Sequence, residues 1–263
     1  MLIIVCVKQV PDSTDVKSDP ETGRIMRDGV PSIVNPDDRH AVEAAVRLKE
    51  QTGAEVVLLT MGPPQAKSAL KEMLAMGADR AILLTDSAFA GADTYATAFT
   101  LGLAIRKLGS PHVIFCGRQA IDGDTAQVGP QLAEFLGIPQ VTHVKELAWE
   151  DPTFAVSRAL DEGHYALRVV PPVLFSVVSE LNQPRYPSMK EILLSVRKKK
   201  IELWDAKMLE ADPLRLGLNG SPTQVKRVFA PTPPSRGEQL TGDMTQMVEA
   251  FVERVMGLNV VQR

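Results

Sequence analysis

Short, nearly unbroken apolar runs recur along the first half of the chain, at residues 2–7, 56–60, 81–84 and 112–116, separated by stretches whose apolar positions fall at helical spacing. Strands rich in β-branched residues that alternate with helices predict βα units on a mainly parallel sheet. The first helix is expected to begin at Asn35, whose side chain would cap it, with Pro36 in the first position and Asp37 and Asp38 beside its positive end. Val42, Ala45, Val46 and Lys49 continue the helical spacing, and Gly53 lies just past the end. A second helix is expected over 64–76, burying Ala66, Ala69, Leu70 and Met73 before Gly77 stops it, and a third over 93–108, ending at Gly109.

Two regions depart from this rhythm. Residues 11–34 are too long for an ordinary connection, and their Asp19-Pro20-Glu21-Thr22-Gly23 centre predicts a small hairpin with Val16 and Ile25 in its arms. Beyond Ile138, strand-like stretches follow one another at 141–149, 154–159, 165–169 and 173–178, with a tight turn at Asp161-Glu162-Gly163-His164. These are expected to be antiparallel strands added to the edge of the parallel core. The fold class is therefore α/β, Rossmann-like: a mainly parallel sheet flanked by helices, with added antiparallel strands and a C-terminal arm.

The expected division is an α/β nucleotide-binding domain over 1–201 and a C-terminal extension over 202–263. Within the extension, Asn219-Gly220-Ser221-Pro222 and Pro231-Thr232-Pro233-Pro234 interrupt regular structure. A last helix follows, capped by Asp243 with Gln246 three residues on, and carrying Met247, Val248, Phe251, Val252 and Val255 on one face. Such a stripe must land either on the chain's own core or on another subunit.

With 263 residues and a formal net charge of −3, the chain has no long-range field to attract nucleic acid or an anionic membrane. The longest apolar runs are about seven residues, far short of the ~20 that span a bilayer, so membrane contact is expected only through a partner. Met1 leads straight into an apolar strand without a basic leader, and the two cysteines, Cys6 and Cys116, have no metal-ligand spacing; a cytoplasmic setting is expected. His40, His112, His143 and His164 show neither metal nor triad spacing, and none is assigned catalysis.

Candidate chemistry concentrates after the strand at 112–116, in Gly117-Arg118-Gln119-Ala120-Ile121-Asp122-Gly123-Asp124-Thr125-Ala126-Gln127-Val128, which runs into a helix with Leu132, Phe135 and Leu136 on its core face. A glycine-containing loop at the carboxyl end of a strand is where open α/β sheets bind ligands, and free amides at a helix start can hold a pyrophosphate. The loop has neither the P-loop nor the G-x-G-x-x-G pattern. Asp122 and Asp124 read either as caps or as acceptors for ribose and backbone donors, and Pro130 makes the helix begin late or bend.

Arg118-Gln119-Ala120-Ile121-Asp122 resembles the adenine-nucleotide loop of electron transfer flavoprotein β subunits. Other segments resemble that family in the same order: Val5-Cys6-Val7-Lys8-Gln9-Val10, Asn35-Pro36, Ala44-Ala45-Val46-Arg47-Leu48-Lys49, Ala75-Met76-Gly77-Ala78-Asp79-Arg80 and Leu181-Asn182-Gln183-Pro184-Arg185-Tyr186. The resemblance implies one α/β domain that grips a nucleotide through Cys6, Asn35, Pro36, Asp37, Asp38, Met61 and residues 117–128, paired with a larger α subunit. Respiratory members read A-I-D-D-D-C-N-Q-T at this loop and hold AMP. Here Asp122-Gly123-Asp124-Thr125-Ala126-Gln127-Val128-Gly129-Pro130, together with Ala90-Gly91-Ala92-Asp93-Thr94, is similar to the electron-bifurcating branch. That branch implies FAD in the pocket, NADH as donor, and ferredoxin or flavodoxin as one acceptor. Residues 186–192 resemble the loop that docks onto acyl-CoA dehydrogenases, with Tyr186 and Met189 at the contact; a quinone oxidoreductase is the other partner type. The basic run Arg197-Lys198-Lys199-Lys200 follows and reads alone as a solvated face. The alternative within the family is a non-bifurcating carrier subunit with a structural AMP in the same pocket; the competing class is an ATP-binding regulatory domain of similar architecture, which the missing P-loop lysine argues against.

Overall fold

The structure is a computed structural model that describes residues 1–12, 31–197, 199–226, 237 and 239–257. The hairpin expected around Val16 and Ile25, and the breaker at residues 231–234, lie outside the described residues. In chain order the elements are β1 (Leu2–Cys6), β2 (Gln9–Pro11), β3 (Ser32–Val34), α1 (Pro36–Thr52), β4 (Glu55–Met61), α2 (Lys67–Ala75), β5 (Arg80–Leu84), α3 (Thr94–Leu108) and β6 (Val113–Gly117). Then come α4 (Val128–Leu136), β7 (Gln140–Glu150), β8 (Thr153–Leu160), β9 (Gly163–Val169), β10 (Val173–Val177), α5 (Met189–Arg197), β11 (Ile201–Trp204) and α6 (Met244–Gly257).

Nine strands form one sheet in the order β11-β5-β4-β1-β6-β10-β7-β8-β9, and β2 pairs with β3 in a separate two-stranded ribbon. Every neighbour pair from β11 to β7 is parallel, and β8 and β9 extend the sheet antiparallel. The fold class read from the sequence holds. The expectation of four antiparallel strands at an edge is corrected at β10, which lies between β6 and β7 and is parallel to both. All five of its residues are buried, as an unalternated Val-Leu-Phe-Ser-Val run demands of a strand covered on both faces.

The two faces carry separate cores. Ile3, Val5 and Val7 pack with α1 and α2 residues such as Val42, Val46, Leu70 and Met73, while Ile4 and Cys6 pack with Phe99, Ile105 and Leu132 of α3 and α4. On the first face Phe175 stands between Phe115, tilted at 5.7 Å, and Phe154, edge-to-face at 5.2 Å, and the three tie the antiparallel extension to the parallel centre. The helices end where the sequence places them, with Gly53 closing α1 and Gly109 closing α3. At the start of α3, Asp93 accepts from the Ala96 amide.

The chain separates into two compact units, Met1–Lys226 and Arg227–Arg263. The first unit keeps β11 at the sheet's edge, so the division expected at 201/202 falls inside that strand. In the second unit α6 opens with the reciprocal capping box expected at Asp243 and Gln246: the Gln246 amide donates to Asp243 Oδ1 at 2.9 Å, and the Asp243 amide donates to Gln246 Oε1 at 3.3 Å. Val248, Phe251 and Val252 are exposed along it.

One helix contact sets a measurable limit. Gly102 of α3 faces the Phe135 ring of α4, and a Cβ added there would stand 2.1 Å from Cδ1 of that ring. Gly102→Ala gains about 1 kcal/mol of helix propensity but overpacks a formed contact, which costs about 1–3 kcal/mol. A lower urea midpoint is therefore expected for Gly102→Ala, recovered in part by adding Phe135→Leu. A higher midpoint in the single variant would contradict this packing.

Candidate functional site

The sheet changes its direction of winding between β1 and β6: from β1 it grows through β4 and β5 to one side, and from β6 through β10 to the other. The crevice outside the carboxyl ends of these two strands is the ligand position of an open α/β sheet. Residues 117–128 leave β6 at that point, and α1 begins beside them.

Asn35 and Asp38 fasten the loop to the helix. Asp38, 6 % exposed, accepts from the Lys8 amide at 2.7 Å, the Gly117 amide at 3.1 Å and Asn35 Nδ2 at 3.0 Å. Asn35, 1 % exposed, donates from the same Nδ2 to the Gln119 carbonyl at 2.9 Å and accepts the Ile121 amide on Oδ1 at 3.2 Å. The side-chain cap expected of Asn35 is therefore corrected. Pro36 occupies the first turn of α1, but the Asn35 carboxamide makes no bond to the helix's own amides. It serves the loop instead. Gly117 is required by this closeness, because a Cβ would meet Asp38 Oδ1 at 2.4 Å and Asp37 Cβ at 2.7 Å.

The acids of the loop are engaged by its own neighbours. Asp122 pairs with Lys8 Nζ at 2.6 Å and its side chain is almost fully buried, while Asp124 accepts from Gln119 Nε2. The N-cap position of α4 is held by Gln127, which makes no side-chain cap bond there and accepts from Thr94 Oγ1 at 2.9 Å. Pro130 stands within the first turn of α4, where no intrahelical donor is needed, so the helix begins late and is not bent by it. Asp37 lies 3.8 Å from Arg118 Nε; burial raises its pKa against that pull. Arg118 is also anchored through its amide to the Val177 carbonyl at 2.8 Å.

Residues 123–128 form the open side of the loop. The Gly123 and Asp124 amides both turn back to the Ala120 carbonyl, and Asp124 and Ala126 adopt left-handed conformations. Thr125 is exposed between them. A Cβ built on Gly123 would meet nothing within 4 Å, so its side faces open space. With the Gly123 and Asp124 amides taken by Ala120, the donors beside this open side are the first amides of α4 at Val128 and Gly129, which have no acceptor within the helix. This donor set fits a diphosphate.

Two expected pocket residues are core residues at the floor. Cys6 ends β1 buried, with its thiol pushed up to about 12 by desolvation and by Asp38. Cys116 beside it is likewise raised well above its usual value, first by burial. Met61 ends β4 and packs against the core on the α3 face. Neither thiol ionises near neutrality, so the floor supplies shape and no redox group.

Two residues near the site were not singled out from the sequence. Lys8 lies in the run 5–10 that resembles the family, but the resemblance gives it no role of its own, and its part rests on Asp122, 114 positions away. His143 sits in a bulge of β7 against β10, in a left-handed conformation with φ 58°, and its Nδ1 is buried without a hydrogen-bond partner. Burial, Arg118 and Arg158 hold its pKa below the usual value. The bulge arises from pairing with a distant strand, so no local pattern announces it. Tyr186 and Met189, expected at a partner contact, are 95 % and 72 % exposed, and Lys199 in the basic run is bonded to the Leu74 carbonyl and to Glu191.

A glycine loop fastened at the switch point of a parallel sheet is the layout of a nucleotide-binding α/β domain. Residues 22–209 match the family model described as the electron transfer flavoprotein domain, and the chain belongs to that family as a β subunit. It is 51 % identical over 261 residues to the electron transfer flavoprotein subunit beta of Thermoanaerobacterium thermosaccharolyticum, covering 99 % of this chain and 100 % of that one. It is 49 % identical over 243 residues, 92 % of each chain, to subunit CarD of the caffeyl-CoA reductase-Etf complex of Acetobacterium woodii. It is 41 % identical over 268 residues, 99 % of this chain and 100 % of the other, to the acryloyl-CoA reductase electron transfer subunit gamma of Anaerotignum propionicum. Among the described residues no helix is long and apolar enough to cross a membrane.

Asp38 gives the site a pH signature. Burial outweighs its three N–H donors and raises the carboxyl from 3.8 to about 7. A folded value above the unfolded one favours the protonated folded state, so this contribution to stability is complete below about pH 4 and is lost as the pH rises through about 7. Asp38→Asn is expected to flatten stability between those limits, measured by urea midpoints from pH 4 to 8. The same slope in the variant and the parent would contradict the assignment.

Proposed function

We propose that this chain is the β subunit of an electron-bifurcating electron transfer flavoprotein and that residues 117–128 hold an FAD. The observation that carries the reading is the open wall at Gly123, beside left-handed residues and a helix start. An aspartate at this position, as the resemblance gives for AMP-holding members, would add a negative charge and a side chain where a bulkier and more anionic dinucleotide must pass. The names of two relatives, in a caffeyl-CoA reductase-Etf complex and as an electron transfer subunit of acryloyl-CoA reductase, support an electron-carrying role beside an enoyl-CoA-type reductase.

A flavin bound there supplies two-electron acceptance from NADH and one-electron delivery to two acceptors. The chain's own residues bind and orient. Asn35 and Asp38 hold the loop, the amides around Val128 meet the phosphates, and Gly117, Cys6 and Cys116 close the floor against water. In a cytoplasmic heterodimer with an α subunit, the acceptors of such a flavin would be an acyl-CoA dehydrogenase or quinone oxidoreductase and ferredoxin or flavodoxin. Tyr186 and Met189 meet the dehydrogenase.

The purified heterodimer is expected to bleach its loop-bound flavin with NADH, and Gly123→Asp is expected to release that flavin selectively, leaving the larger subunit's flavin bound. Equal retention of both flavins in the variant would contradict the placement. Met189→Ala is expected to slow electron transfer to the dehydrogenase about tenfold or more at unchanged flavin content, as loss of an apolar anchor does when it is a hot spot. Unchanged transfer would remove Met189 from the docking surface.

A further inference from the structure

The segment that presents Tyr186 and Met189 is bound to α1 by an unusually dense set of hydrogen bonds. Asn182 donates from Nδ2 to the His40 carbonyl at 2.9 Å, and its own carbonyl lies 2.9 Å from His40 Nδ1. The Gln183 carbonyl accepts from Arg47 Nη2 at 3.3 Å. Arg185 then spans two carboxylates about two helical turns apart: its Nε reaches Glu43 Oε2 at 2.8 Å, its Nη1 reaches Glu50 Oε1 at 2.5 Å, and its Nη2 touches both, at 3.2 and 3.1 Å. The Arg185 amide adds a bond to Glu43 Oε2 at 3.1 Å.

Glu43 is 2 % exposed, and Arg47 Nε holds its other oxygen at 2.6 Å. Burial alone would raise this carboxyl, but Arg185 and Arg47 outweigh it and hold the pKa below its usual value. A carboxylate so enclosed needs the guanidinium fork, because an ammonium point charge cannot serve two carboxylates in this geometry. Past Arg185 the chain turns into α5, which packs on α2 and is tied through Glu191 to Lys199, and it carries a row of apolar side chains on its outer side. Tyr186, Met189 and Leu193 are exposed by 95, 72 and 49 %, and beneath them lies a cleft of about 420 Å³ bordered by Lys49, Glu50, Met76, Tyr186 and Leu194. Apolar side chains held outside a hollow of that size gain area by folding into it.

We infer that Arg185 is a positioning residue, a clamp on Glu43 and Glu50 that holds the exposed 186–193 segment out over this cleft in the shape its redox partner meets. The inference rests on the docking reading of Tyr186 and Met189 given above. The clamp works by preorganisation: an ordered segment loses less freedom when the partner binds. It also uses the same helix whose first turn fastens the nucleotide loop, about 18 Å away for the twelve residues from Asp38 to Glu50. Partner contact and cofactor loop thus share one rigid element while touching different turns of it.

The test uses the heterodimer with an acyl-CoA dehydrogenase of the same organism as electron acceptor. Arg185→Lys keeps the charge and loses the fork; Glu50→Gln weakens the clamp from its exposed side and leaves the buried Glu43 paired. Both are expected to raise KM for the dehydrogenase, by about three- to tenfold for Arg185→Lys, with kcat and flavin content unchanged. Amide exchange over residues 186–193 is expected to accelerate in both variants while that over 117–128 stays as in the parent. Met189→Ala is run alongside. If Met189→Ala raises KM and neither clamp variant does, the clamp is refuted and the docking reading stands. If none of the three raises KM, the docking reading falls and the clamp falls with it. Faster exchange over 117–128 together with lost flavin would make Arg185 a general structural residue and would also refute the proposal.

Discussion

Everything at the site depends on how closely the end of β6 approaches the first turn of α1. Three N–H groups from three parts of the chain converge on the Asp38 carboxylate, and one of them belongs to Gly117, where no Cβ fits. Taking a carboxylate out of water is expensive unless such donors replace the solvent. The raised pKa of Asp38 shows that here the compensation is incomplete. The residual strain is placed at the switch point of the sheet, where the two cores meet and where the loop must be held still for a ligand. Asn35 completes the arrangement from beside it, reading one amide and one carbonyl of the loop with a single carboxamide.

This fastening also settles the electrostatics. Two aspartates in an expected phosphate loop pose a difficulty, since free carboxylates would repel the ligand. Lys8 engages Asp122, Gln119 engages Asp124 and Arg118 faces Asp37, so the loop's acids are spent on its own geometry. The two thiols beneath are held protonated by burial. The open side of the loop is left to backbone, Gly123 and the start of α4.

Much of this was legible in the sequence because it is local. The apolar strands, the glycine stops of α1 and α3, the capping box of α6 and the loop after β6 all lie within a few residues of the signals that specify them. The rest depends on partners far along the chain. Asn35 before Pro36 reads as a cap, and only the presence of Gln119 and Ile121, more than eighty positions on, gives its side chain a better use. The central place of β10 was half legible: its unalternated apolar run marked a strand buried on both faces, but the preceding hairpins drew it into an antiparallel reading. Lys8 stood in a family-like run whose local pattern says nothing of its distant partner, and the bulge at His143 had no local mark. The docking segment was recognisable by resemblance, yet its dependence on Glu43 and Glu50 emerges only when α1 is laid beside it.

The central claim is that residues 117–128 cradle a dinucleotide in this subunit. It is tested most directly by extracting and counting the cofactors of the purified heterodimer with its α subunit. The account predicts two FAD and no AMP per heterodimer. One FAD and one AMP would contradict it, and would assign the same cradle to a mononucleotide held for structure alone.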